Sequence, residues 1–331
     1  MSPVAESAGL FVVAGAGYLA VGSLATAALV RLAAGRIERW EPRARHRALV
    51  ALAALPLLFA VGMVFATSLP SLVALVAPRR DHCPVDHDGH AHLCFVHLPS
   101  GGVPIGVVAL LGLVAGYFAV RATLGVVRVG RALRVATTLA RTGVVRRELD
   151  ATIVESDRAI CLTVGLVRPS VVLSRGLVEA LAPAERAVVL AHERAHARRR
   201  DALVTSLVRA MAALHLPQVG RWLIDETETA AEQACDEDAA TAIGDRVAVA
   251  EAILAVERRA RACEPAGLSL VAVAMGARAI ERRVLALLAE PLPQQSLQPF
   301  ALGALSVFVA LLTHADELHH ATEFALALLA R

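Results

Sequence analysis

Charge is scarce in this chain. Charged side chains make up only 19% of its 331 residues, against 56% hydrophobic ones. Disordered chains need the opposite balance, so extended disorder is excluded. Lysine is absent, and all 33 basic residues are arginine. They are nearly matched by 30 acidic residues, for a formal charge of +3. That balance is too even for a nucleic-acid surface, so no direct nucleic-acid binding is expected. Five cysteines in a chain of this length exclude a disulfide scaffold. What abounds is apolar surface: a mean hydropathy of +0.59 exceeds that of an ordinary globular domain and belongs in a membrane.

A bilayer-crossing helix takes roughly 20 apolar residues, because each residue rises ~1.5 Å through ~30 Å of hydrocarbon. Uncharged runs of sufficient length lie at residues 7–30, 48–77 and 99–120. A fourth, weaker run covers residues 291–313. The first run follows Glu6 and no basic residue, so it is expected to be a span rather than a cleaved signal peptide. The loop after it carries Arg31, Arg36, Arg39, Arg43, Arg45 and Arg47, and Arg128, Arg131, Arg134 and Arg141 follow the third run. The loop between the second and third runs sets only Arg79 and Arg80 against Asp81, Asp86 and Asp88. Basic residues stay on the cytoplasmic side, so the N-terminus is expected outside and the block after the third span inside.

That block opens with a polar helical stretch at 128–149, then shows strand-like runs at 151–155, 159–164 and 170–174. Gly165 and the Arg168-Pro169 pair between the last two suggest a hairpin. Helical patterns follow to residue 288, so the block reads as α+β. Within residues 183–200 lies Ala191-His192-Glu193-Arg194-Ala195-His196, in a run of good helix formers entered at Pro183. Four residues apart on a helix, His192 and His196 share a face and can point at one ion. Two histidines so spaced with a glutamate beside the first form the pattern of zinc metallopeptidases. Catalytic zinc takes three protein ligands and keeps one open position. Glu228, Glu232 and Asp236 are the downstream candidates, and spacing alone does not choose among them. Glu226, Glu237 and Asp238 read as a solvated acidic face. The run 170–174 is a candidate strand for adding a substrate peptide to a sheet.

These residues resemble the BlaR/MecR-type family of integral-membrane metallopeptidases. The likeness rests on His192-Glu193-Arg194-Ala195-His196, then Arg198-Arg199-Arg200-Asp201, then Glu232-Gln233-Ala234-Cys235-Asp236. The approach Thr163-Val164-Gly165-Leu166-Val167-Arg168-Pro169 and Val171 to Leu177 is similar too. The resemblance implies Zn2+ as cofactor, with His192, His196 and Glu232 as ligands and Glu193 as general base. Asp201 and Asp236 would support the ligands. It also implies a protein or peptide substrate: the chain itself or a cytoplasmic regulator such as a transcriptional repressor. Members that sense β-lactams carry a penicillin-binding sensor after the fourth span. Only about 18 residues, from His314 onward, follow it here, so sensing by that route is not expected.

The expected fold is an α+β zincin-like metallopeptidase domain embedded in a four-helix transmembrane scaffold, mostly α overall. Residues 1–127 form a membrane region with three transmembrane helices, at about 7–30, 50–72 and 103–127. An outer His-rich loop spans 78–98, the cytoplasmic zinc metallopeptidase domain 128–295, and a fourth transmembrane helix with a short outer tail 296–331. In the outer loop, His82, His87, His90 and His92 are candidate metal ligands, and Cys83 with Cys94 a candidate disulfide on the oxidising side. The alternative there is a polar loop tied by that disulfide alone. Two other functions fit the pattern less well. One is a quality-control protease similar to the HtpX group, which fits three preceding spans poorly. The other is a non-enzymatic metal-sensing membrane receptor, in which Glu193 would be needless.

Overall fold

The computed structural model describes residues 3–77, 105–262 and 270–329. The outer-loop residues His82, His87, His90, His92, Cys83 and Cys94 fall outside them. Among the described residues, three single helices are long and apolar enough to cross a membrane: α1 (Pro3–Ile37), α2 (Pro42–Val76) and α3 (Ile105–Arg141). α1 and α2 pack closely at Gly22, where an added Cβ would lie 3.0 Å from the Pro56 Cα. Glu41 caps α2 by accepting from the Ala44 N–H at 2.9 Å, and Pro42 follows as its first residue. The hydroxyls of Thr26, Thr67 and Ser68 donate to carbonyls four residues back, which satisfies them in apolar surroundings.

α3 exceeds the expected span. It continues unbroken to Arg141, so the polar stretch after residue 127 is the same helix prolonged. A four-stranded sheet follows: β1 (Val144–Arg146), β2 (Ala151–Val154), β3 (Cys161–Val164) and β4 (Ser170–Ser174). Its order is β1-β2-β4-β3. β4 runs parallel to β2 and antiparallel to β3, as the expected hairpin. Gly165, at φ +101°, makes the turn between β3 and β4. Alternation along β4 sends its residues to two cores. Val171 and Leu173 pack with Leu177, Val189 and Leu190, from α4 (Arg175–Ala180) and α5 (Pro183–Arg199). Val172 packs with Val154, Val164 and the Ala136–Ala140 end of α3. Because β4 lies inside the sheet, it cannot accept a substrate strand, contrary to expectation. β3 is the edge beside the site.

α5 begins at Pro183, with the Glu185 carboxylate accepting from the Ala182 N–H at 2.8 Å. α6 (Asp201–Met211), a 3-10 turn (Ala212–Leu214) and α7 (Pro217–Ile243) form a hairpin whose tip packs among the apolar helices. His215 is fully buried there, its Nε2 3.0 Å from the Ala53 carbonyl, and Arg121 donates to the His215 carbonyl at 2.6 Å. The same hairpin joins Val208, Leu223 and Ala230 to Ile37, Leu49 and Ala53 in one core. α8 (Arg246–Ala262) and α9 (Leu270–Leu288) close the far side of α7.

The last segment departs from a simple fourth span. Pro291 and Pro293 keep residues 289–297 out of helix. α10 (Gln298–Thr313) then has 16 residues, about 24 Å at ~1.5 Å each, and falls short of ~30 Å of hydrocarbon. It meets α11 (Ala315–Leu329) at a bend of 73°, and the two together are long and apolar enough to form a broken span or a re-entrant loop. In place of a tail, α11 is a helix packed on α1 and α2, with Leu326 among Leu10, Val13 and Ala14.

Candidate metal centre

The histidine pair lies on the buried side of α5. Ala195 and Val188 anchor that side, with Glu193 only 7% exposed. α5 stops at Arg200, whose left-handed φ of 55° turns the chain abruptly into α6. A non-glycine residue pays roughly 1–2 kcal/mol for that conformation. The turn carries Asp201 back alongside α5, where its Oδ2 lies 2.8 Å from His196 Nδ1. Asp236, from α7, accepts from His192 Nδ1 at 2.9 Å.

With both Nδ1 atoms donating to carboxylates, the lone pairs are left on the Nε2 atoms. These face one another at 3.0 Å, and each lies 3.4 Å from a Glu232 oxygen. Three acceptors converging this closely repel unless a cation sits among them. A tetrahedral zinc with bonds of ~2.0–2.1 Å has ligand atoms about 3.3 Å apart. The two 3.4 Å separations match that and the 3.0 Å one is slightly shorter, so this donor set fits zinc. Of the three acids that spacing left open, Glu232 is the one brought to both imidazoles. Glu228 pairs instead with Arg209 at 2.7 Å, and Asp236 stands behind His192.

Electrostatics keep the supporting acids ionised. Burial pushes the carboxyl pKa of Asp201 up, but its hydrogen bond to His196 and the Arg199 charge outweigh this and hold it below the ordinary value. Asp236 is likewise held low despite burial, by Arg283 and His192. Burial also opposes ionisation of Glu232, and the two imidazoles and Arg283 reverse the sign. For both histidines burial pulls the pKa down, but hydrogen bonds to the neighbouring side chains outweigh it and hold the pKa above the ordinary value. Cys235 is fully buried, 3.3 Å from both His196 Nδ1 and Asp201 Oδ2. Burial pushes its thiol up to about 11, so it remains S–H at neutral pH and donates to Asp201.

Glu193 points into the same space. Thr163 donates to its Oε2 at 2.8 Å, and Cys161 lies 3.1 Å from its Oε1. Alternate positions on edge strand β3 place both on one face, against α5. That period-two pair is the signal in the sequence for these residues. Arg283, from α9, had no such signal. It contacts Asp236 at 2.7 Å and Glu232 at 3.0 Å. Glu226, Glu237 and Asp238 are not the solvated face expected. Glu226 is buried against Arg282, Glu237 pairs with Arg246, and Asp238 pairs with Arg43. Two hollows open on the centre. One, of about 240 Å³, has Val188, Val189, Val249 and Ile253 in its wall. The other is a groove of about 790 Å³ running between β3, α3 and α7.

No curated protein and no solved structure gives a significant match to this chain. A family model described as BlaR1 peptidase M56 matches residues 103–287, more than half of the 331. That segment runs from the start of α3 to the end of α9 and takes in every side chain around His192. The chain belongs to the BlaR1 peptidase M56 family.

Proposed function

We propose that the chain is a membrane-bound zinc endopeptidase acting in signal transduction, cutting itself or a cytoplasmic regulator such as a transcriptional repressor. One observation carries the enzymatic part: two Nε2 atoms 3.0 Å apart, each 3.4 Å from Glu232, with both Nδ1 atoms committed to carboxylates. His192, His196 and Glu232 would hold the ion, and Asp236 and Asp201 fix the two rings. Zinc supplies Lewis acidity toward a peptide carbonyl and a nucleophilic water at neutral pH. Glu193 is the general base: it takes the water's proton and delivers it to the leaving amine nitrogen. Thr163 and Cys161 hold its carboxylate in place for both transfers. The outer edge of β3 offers free backbone groups in the groove, where an extended peptide can add as a strand.

The arginines clustered at the end of α1 and the start of α2 support a cytoplasmic site. Arg43 pairs with Asp238 and Arg45 donates to Gln233, both on the helix that carries Glu232. The centre and the arginine-rich start of α2 therefore share one end of the apolar helices, the end that basic residues assign to the cytoplasm.

The test compares purified, zinc-loaded wild type with Glu193→Gln on a peptide library. Wild type should cleave and the variant should not, at equal zinc content. Equal cleavage by both would refute the assignment. In cells, a fragment of a regulatory protein should appear with wild type and be missing with the variant.

A further inference from the structure

Glu232 is the most exposed of the three converging side chains, at 38% against 13% for His192 and 14% for His196. Each imidazole is fixed by an aspartate, and Glu232 has a different anchor. Arg283 sets Nε 2.8 Å and Nη2 2.7 Å from the two Asp236 oxygens, and its Nη1 lies 3.0 Å from Glu232 Oε2. One planar cation thus grips two carboxylates: Glu232 itself, and the one that orients His192.

We propose that Arg283 is a positioning residue for the metal, locking the third ligand through its guanidinium fork, so that α9 is a working part of the centre. This rests on the reading of Glu232 as a zinc ligand. The chemistry requires arginine. A lysine ammonium is a single point charge and cannot fork onto Asp236 while also reaching Glu232. α9 is seated by an apolar contact, Leu287 and Val284 against Val188, Ala239 and Val249, and by a set of polar ones. Arg282 forks onto Glu226 at 2.9 and 3.0 Å, Gln233 donates to the Arg282 carbonyl, and Arg246 donates to the carbonyls of Ala286 and Leu287. Arg283 therefore arrives on a helix that neighbouring arginines help to place.

The experiment uses the full chain in detergent, zinc-loaded and titrated against a chelator of known affinity. Metal-free melting and the visible spectrum of the cobalt-substituted protein are read alongside. R283K should fold, melt without metal within a few degrees of wild type, and bind zinc about 10–100-fold more weakly, the range seen when a ligand's supporting contact is lost. Its cobalt spectrum should shift as Glu232 is released. R283A should lose more affinity, and if it fails to fold, R283K carries the test. Wild-type zinc affinity in either variant overturns the proposal. So does a loss of affinity matched by an equal loss of metal-free stability, which would assign Arg283 to folding alone. If wild type itself binds no zinc, the reading of the site falls first and this inference falls with it.

Discussion

Thr163→Val removes one hydroxyl and keeps the side chain's shape, so it isolates the hold on Glu193. The lost bond is 2.8 Å long and ends on a carboxylate oxygen. The same hydroxyl lies 3.0 Å from the Glu193 backbone carbonyl. It has a single proton, and the charged acceptor takes it. A hydrogen bond to a charged group contributes about 1.5–3 kcal/mol, and each ~1.4 kcal/mol is a factor of ten in rate. Cys161 remains as a weak donor on the other oxygen, which places the loss near the lower end. The expected fall in kcat/KM is about tenfold. Thr163→Ser restores the donor and should recover most of the activity, and Cys161→Ala should cost only a few-fold. The assay is cleavage of a fluorogenic peptide at saturating zinc, with metal affinity measured in parallel. Neither strand residue touches a ligand nitrogen, so affinity should not change. Unchanged kcat/KM in Thr163→Val, or a loss that tracks loss of zinc, would refute the reasoning.

Asp201→Asn keeps the size of the group behind His196 but removes the charge that fixes the ring. Zinc should bind about 10–100-fold more weakly, as read by chelator competition. Gly220→Ala tests the hairpin. Its Cβ would lie 2.5 Å from the Ala212 carbonyl oxygen, a backbone atom that cannot step aside. Overpacking of this kind costs about 1–3 kcal/mol or more, and the melt in detergent should fall by several degrees; an unchanged melt would show that the turn yields freely.

The parts of this molecule that depend on near neighbours were readable from its residues. The long uncharged runs, the strand at 170–174 and the helix presenting His192 and His196 all follow from local pattern. Which carboxylate joins the two imidazoles did not, because Glu228, Glu232 and Asp236 lie within a few turns of one helix. What selects Glu232 is the rotation of α7, set by burial of Leu223, Ala230 and Ala234 against other elements. The solvated reading of Glu226 and Asp238 failed for a related reason. Their partners stand 56 and 195 residues away, beyond any pattern along the chain. Strand order is equally non-local, which is why β4 looked available to a peptide and β3 turned out to be the edge. The convergence of the two imidazoles was legible because they and the neighbouring glutamate sit within a single helical turn and a half.

The hairpin tip at His215 has a practical implication. Its nonpolar side chains are covered by the lipid-zone helices, and Arg121 bonds a carbonyl at its apex. Cutting the hydrolytic half free as a water-soluble fragment would strip that covering away and leave a greasy wedge in solvent. The lipid-crossing portion is thus part of the enzyme's foundation, and the helix that leads from this wedge begins at Asp201, the residue bonded to His196.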